Sequence, residues 1–64
     1  MINWISFDEA HPKRGKSILI KLRDGRVLKG QYWHTELLFD DILSGKLKES
    51  AWETQLEAVE WSYE

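Results

Sequence analysis

The segment from Ser17 to Trp33 places the strongest constraint on the fold, because apolar residues alternate with other residues on both sides of Asp24-Gly25. Alternation with a period of two is typical of a β-strand that buries one face. An Asp-Gly pair between two such runs is a strong signal of a β-hairpin. The sequence therefore predicts two antiparallel strands joined by a tight turn.

The length of that turn sets the register of the hairpin. A two-residue loop would pair Ile20 with Lys29, whereas a three-residue loop would pair Ile20 with Leu28. Register follows the apolar pattern, so we predict the three-residue loop, with Gly25 in the left-handed conformation. One face then carries Ile18, Ile20, Leu22, Leu28 and Tyr32. The other face is half polar and carries Leu19, Lys21, Val27, Lys29, Gln31 and Trp33.

Both ends of the chain also read as strands. Strand-forming residues occupy 3–7, and apolar residues alternate over 56–63. Residues 46–55 are polar, but the four-residue spacing of Leu47 and Ala51 allows one or two helical turns. We predict a mostly β domain, or an α+β domain with one short helix, built on a small antiparallel sheet or barrel of four to five strands.

The segment 36–43 fits two structures. As a strand it would turn Leu37, Phe39 and Leu43 inward, and as a short helix it would be capped by Thr35. Its length slightly favours the strand.

No pattern in the chain indicates catalysis. With 64 residues the chain is a single domain with a small core, and without cysteine it has neither disulfides nor Cys-type zinc sites. His11 and His34 lack the spacing of a paired metal site, and His34 is expected in a surface loop. No phosphate-binding glycine motif or nucleophile–base pattern is present. We therefore expect no enzyme activity, no cofactor and no metal.

The sequence also lacks a membrane span or signal peptide pattern, which predicts a cytoplasmic protein with no membrane partner.

The charge of the chain is unevenly distributed. Residues 11–30 hold seven Lys or Arg against one Asp, a formal charge of +6, and residues 31–64 hold eight acids against two Lys, a formal charge of -6. Either the two segments pair with each other in the fold, or each offers a binding surface of one sign.

Two sets of residues are candidates for contact with a partner. The acidic candidates are Glu36, Asp40, Asp41, Glu49 and Glu53, and the aromatic and basic candidates are Lys21, Lys29, Trp33 and Trp52. Burial in the core or in a homodimer would explain Trp33 and Trp52, as would an exposed anchor for a partner. Trp4 and Trp61 are predicted to lie in the core and to pack together if the terminal strands pair.

Short motifs along most of the chain resemble a phage and prophage family of unknown function. They are W-I-S-F at 4–7, P-K-R-G at 12–15, S-I-L-I at 17–20, D-G at 24–25, G-Q-Y at 30–32 and V-E-W at 59–61. Members of that family begin W-I-S-V and end in a strand with an H-W or E-W pair. His11 replaces the usual leucine, and 33–55 matches poorly. The resemblance implies a mobile-element origin and a compact β-rich fold, with no assigned activity.

These observations favour a small, phage-type, non-enzymatic protein that binds a host protein in the bacterial cytoplasm, for example as an inhibitor of a host defence system. One alternative is an oligomer that sequesters a nucleotide or another small ligand. Another is a module that binds single-stranded nucleic acid through the basic hairpin, against which the pI of about 5.6 argues. Homodimer formation is open.

Overall fold

The computed structural model of the chain describes residues 2–33 and 35–64, so the expectation for His34 lies outside the described residues. In chain order the elements are β1 (Ile5–Ser6), β2 (Ser17–Leu22), β3 (Val27–Trp33), β4 (Glu36–Phe39), α1 (Asp40–Leu43), α2 (Ala51–Leu56) and β5 (Ala58–Tyr63). The strands form one open antiparallel sheet in the order β1-β5-β2-β3-β4. The predicted mostly β fold is confirmed, with two short helices and with β1 and β4 at the sheet edges.

The β2–β3 hairpin has the register that the apolar pattern predicts. Ile20 pairs with Leu28, and Ile18 pairs with Gly30. The three-residue loop ends at Gly25, whose φ of 97° lies in the left-handed region that glycine adopts without steric cost.

The segment 36–43 combines both predicted structures. Leu37 and Phe39 are buried in β4, as the strand alternative requires. The chain then turns into α1 without a side-chain cap, so Thr35 does not cap a helix. The inward position expected for Leu43 is wrong, because its side chain is 68% exposed. The change from a strand to a helical repeat at the end of β4 alters the direction of the side chains that follow.

Helix α2 begins later than the spacing of Leu47 and Ala51 indicated. Ser50 is its N-cap and accepts a hydrogen bond from the Glu53 N–H at 3.4 Å, while Leu47 lies outside the helix. A serine followed three residues later by glutamate is the sequence pattern of a capping box. The final strand is correspondingly shorter than predicted, because Leu56 ends α2.

One sheet face holds the core. Its buried apolar residues are Ile18, Ile20, Leu22, Leu37, Phe39 and Trp61. The loop after β1 closes one side of this cluster: the Trp61 indole N–H donates to the Ala10 carbonyl at 2.9 Å, and the His11 ring stacks on Tyr32 with ring centroids 5.5 Å apart. Burying an indole requires a partner for its N–H, so this bond anchors the loop to the core.

The expectation for the two terminal tryptophans is confirmed for Trp61 and wrong for Trp4. The terminal strands do pair, with Ile5 opposite Trp61. Because Ile5 packs against the core, its neighbour Trp4 projects to the outer face of the sheet. There the Lys21 ammonium lies 5.4 Å from the centre of the Trp4 ring.

Candidate functional site

The two oppositely charged segments of the chain pair with each other. The ion pairs between them are Lys21–Glu60 at 3.8 Å, Arg23–Glu57 at 3.8 Å, Arg26–Glu49 at 2.7 Å and Lys29–Glu64 at 2.7 Å. They join the hairpin to β5 and to the segments around α2. Pairing within the fold, the first of the two interpretations of the charge pattern, is therefore confirmed for these eight side chains.

The Arg26–Glu49 contact has the most complete geometry of these pairs. The guanidinium donates to both Glu49 carboxylate oxygens, at 2.7 and 3.2 Å, and its Nε donates to Asp24 at 2.9 Å. The hydrogen bonds from Arg26 hold the pKa of Glu49 below its ordinary value, and those to Glu49 and Asp24 raise the pKa of Arg26. All three groups are exposed, so the network links two surface segments without burying charge.

The outer face of the sheet carries three of the four predicted aromatic and basic candidates. Lys21 and Lys29 lie there, but each faces a carboxylate of the acidic segment. Trp33 is 41% exposed, and its indole N–H donates to the Gln31 side chain at 2.8 Å. This face is half polar, as predicted, but its two candidate lysines are already paired.

Helix α2 buries a polar side chain and exposes its large apolar ones, which is the reverse of the usual arrangement. Thr54 is buried at 4% exposure, and its hydroxyl donates to the Ser50 carbonyl at 2.8 Å. Trp52 and Leu56, by contrast, are 64% and 57% exposed. Residues four apart lie on the same side of a helix, so Trp52 and Leu56 form one exposed apolar ridge.

A groove of about 230 Å³ separates this ridge from the edge strand β4. Its lining residues are Glu36, Leu37, Leu38, Ala51, Trp52 and Gln55. Trp52 therefore lies beside Glu36, away from the other aromatic and basic candidates on the outer face of the sheet. We name this surface the α2–β4 ridge and define it by Glu36, Leu38, Trp52, Glu53 and Leu56.

Gln55 attaches α2 to the edge of the sheet. Its side-chain oxygen accepts from the Leu37 N–H at 3.0 Å, and its side-chain nitrogen donates to the Thr35 carbonyl at 2.9 Å. The amide thus meets a donor and an acceptor two residues apart, as a neighbouring strand would. Unpaired edge groups invite another chain, and Gln55 occupies part of this edge.

The acidic candidates divide among three places. Glu36 lines the groove, and Glu53 follows Trp52 on α2. Glu49 is bound to Arg26, whereas Asp40 and Asp41 form the first turn of α1. The five residues are therefore not a single acidic surface, and only Glu36 and Glu53 belong to the α2–β4 ridge.

The sequence did not identify Leu38 and Leu56 of the α2–β4 ridge, or Gln55, which lines its groove. The Ser50-x-x-Glu53 pattern was the available signal, because it places the start of α2 and hence the shared side of Trp52 and Leu56. No local pattern could identify Gln55, whose partners belong to a different element.

Comparisons with protein-family models, curated proteins and solved structures find no match to this chain. The resemblance to a phage family therefore stays a prediction. Within residues 2–33 and 35–64, no three His, Asp or Glu side chains are grouped to hold a metal ion. Over the same residues, no helix is long and apolar enough to cross a membrane.

Proposed function

We propose that this domain is a non-enzymatic binding protein that docks on another protein through the α2–β4 ridge. The observation that carries the proposal is the inverted helix, in which Trp52 is 64% exposed while Thr54 is buried. Leaving a large indole in water forgoes the free energy that its burial would contribute, roughly 25 cal/mol per Å² of apolar surface. Contact with a partner would recover that free energy.

The chemistry of the ridge defines the partner. Trp52 and Leu56 are spaced as the anchors of a helix that lies in an apolar groove, and tryptophan is enriched among residues that dominate binding energy. Glu36 and Glu53 flank these anchors, and neither forms an ion pair with a described residue. The matching surface is therefore an apolar pocket bordered by Lys or Arg, and the charges would accelerate the encounter.

The resemblance to a phage family makes a host protein the partner in this proposal, and inhibition of a host defence system is its most specific form. Occupation of a surface suffices for such inhibition. The groove between α2 and β4 would then be filled by a side chain of the host protein.

The test compares three immobilised baits in bacterial lysate: the natural protein, Trp52→Ala and Trp33→Ala. Trp33 is the matched control because it is also a partly exposed tryptophan, but it lies on the outer sheet face. We expect a protein captured by the natural chain and by Trp33→Ala to be lost with Trp52→Ala. Truncation of a dominant anchor costs about 2 kcal/mol or more, so the Kd for the isolated partner should rise at least about 30-fold in calorimetry.

Two results would contradict the proposal. One is equal capture by Trp52→Ala and the natural protein, which would assign binding to another surface. The other is the absence of any captured protein at low salt.

Reversing the charge beside the apolar anchors with Glu53→Lys should slow association without changing the fold, and stopped-flow measurements at two salt concentrations would show this.

A further inference from the structure

In the basic segment, residues 11–30, two lysine side chains form none of the ion pairs described above. Lys13 and Lys16 flank the turn before β2, and neither forms an ion pair with a carboxylate of residues 2–33 or 35–64. The bases on the hairpin itself, by contrast, are paired, with Arg26 bound to Glu49 and Lys29 bound to Glu64. The ammonium groups of Lys13 and Lys16 therefore lie at the opposite end of β2 from the Asp24-Gly25 loop.

Backbone contacts hold this turn in place. The Gly15 N–H donates to the Tyr32 carbonyl at 3.0 Å, and the Lys13 N–H donates to the Tyr63 hydroxyl at 3.0 Å. Gly15 has a φ of 82°, and a β-carbon there would lie 3.2 Å from the Trp33 ring. Strands β3 and β5 thus fix the turn, so binding would order only the lysine side chains.

The turn borders an open cleft of about 410 Å³. Its lining residues are Lys13, Lys16, Ser17, Tyr63 and Glu64. Glu64 is the one acid among them, and its carboxylate lies 2.7 Å from the Lys29 ammonium, a contact that raises the pKa of Lys29. The cleft is in the size range of sites for small ligands, and it combines two ammonium groups, a serine hydroxyl and a partly exposed tyrosine ring.

We infer that this cleft binds a nucleotide, with its phosphate between Lys13 and Lys16 and its base against Tyr63. Lysine and serine side chains are common partners of phosphate oxygens. Aromatic rings stack on bases irrespective of sequence, and the Tyr63 side chain is 42% exposed. The nucleotide could be free or part of a single strand, because both present the same phosphate and base.

The experiment titrates the protein at low salt with adenosine monophosphate by NMR and with a fluorescent thymidine decamer by anisotropy. The test variant is Lys13→Gln/Lys16→Gln, and the control is Lys46→Gln/Lys48→Gln, which removes the same charge from the segment before α2. We expect the first variant to weaken binding at least tenfold and the control to weaken it less than about threefold, since distant exposed charges are screened. For the decamer, the slope of log K against log salt should fall by about 0.7 when the contact with this one phosphate is lost.

The mapped NMR shifts test the same inference in the natural protein. Adenosine monophosphate should move the amide signals of Ser17 and Tyr63 and leave that of Trp52 in place. Binding of the mononucleotide alone would identify a free nucleotide as the ligand, and much tighter binding of the decamer would identify a single strand; both support the site. Equal losses in the two double variants, shifts confined to other residues, or no binding of either probe would overturn it.

Discussion

The β2–β3 hairpin and helix α2 use their apolar residues in opposite ways. The hairpin encloses Ile18, Ile20 and Leu22 at 0–1% exposure, whereas α2 buries a threonine and exposes Trp52 and Leu56. The hairpin thereby supplies three of the six buried apolar residues that form the core. Helix α2 contributes little apolar burial and is attached instead by the Gln55 amide. The difference separates residues that build the fold from residues that are available for contact with another molecule.

Truncation of one large apolar residue in each region should give the largest contrast. Ile20→Ala removes a fully buried side chain and should lower the free energy of unfolding by about 2–5 kcal/mol. Trp52→Ala removes a larger but exposed side chain and should change it by less than about 0.5 kcal/mol. Urea unfolding measures both. A comparable loss of unfolding free energy for Trp52→Ala would show that α2 contributes to the core, which would contradict the difference between the two regions.

Gly30→Ala tests how closely the hairpin is packed. Its β-carbon would overlap the Leu38 carbonyl oxygen of β4 and crowd Ile20, so we expect a loss of about 1–3 kcal/mol in thermal or urea unfolding. Gly25→Asn is the control, because no atom lies within 4 Å of the added β-carbon and asparagine tolerates the left-handed conformation. The explanation fails if the two substitutions have equal effects.

Gln55→Leu tests the attachment of α2. It removes the partners of the Leu37 N–H and the Thr35 carbonyl, which should cost about 1–2 kcal/mol and open the β4 edge to a second copy of the chain. Sedimentation at two concentrations would detect that association. Gln55→Glu keeps the acceptor for Leu37 and loses the donor for Thr35, so its effect should be smaller. A fully monomeric Gln55→Leu with natural stability would contradict this role.

The smallest effect concerns the Arg26–Glu49 pair, which links the hairpin to the segment before α2. The pKa of Glu49 is lowered in the folded protein, so the pair stabilises the fold above the ordinary pKa near 4.5 and loses its effect as pH falls through the lowered pKa. The stability difference between the natural protein and Glu49→Gln should therefore shrink below about pH 4.5 in urea unfolding. Arg26→Gln should have a larger effect because it also removes the Nε contact with Asp24, and adding Glu49→Gln to it should change stability little further.

The hairpin could be predicted from the sequence in detail because its signals are local. The alternation of Ile18, Ile20 and Leu22, together with Asp24-Gly25, defines both strands, the loop and the pairing of Ile20 with Leu28. The boundary within 36–43 was less accessible, since a short apolar run fits a strand and a helix equally well. Trp4 shows the same limit. Its place in a predicted terminal strand suggested burial, but the pairing of Ile5 with Trp61 leaves Trp4 on the outer face of the sheet.

The candidate site depended on contacts that no local pattern encodes. The sequence by itself determined a β-rich fold, the hairpin register and a division of charge, because these follow from the period of the apolar residues, the turn residues and the charge counts. Tertiary structure decided which charges pair, since Arg26 meets a carboxylate 23 residues away. It also decided which side of α2 faces the sheet. A helix of six residues is too short for its own sequence to fix that side, and the contact of Gln55 with β4 leaves Trp52 facing outward.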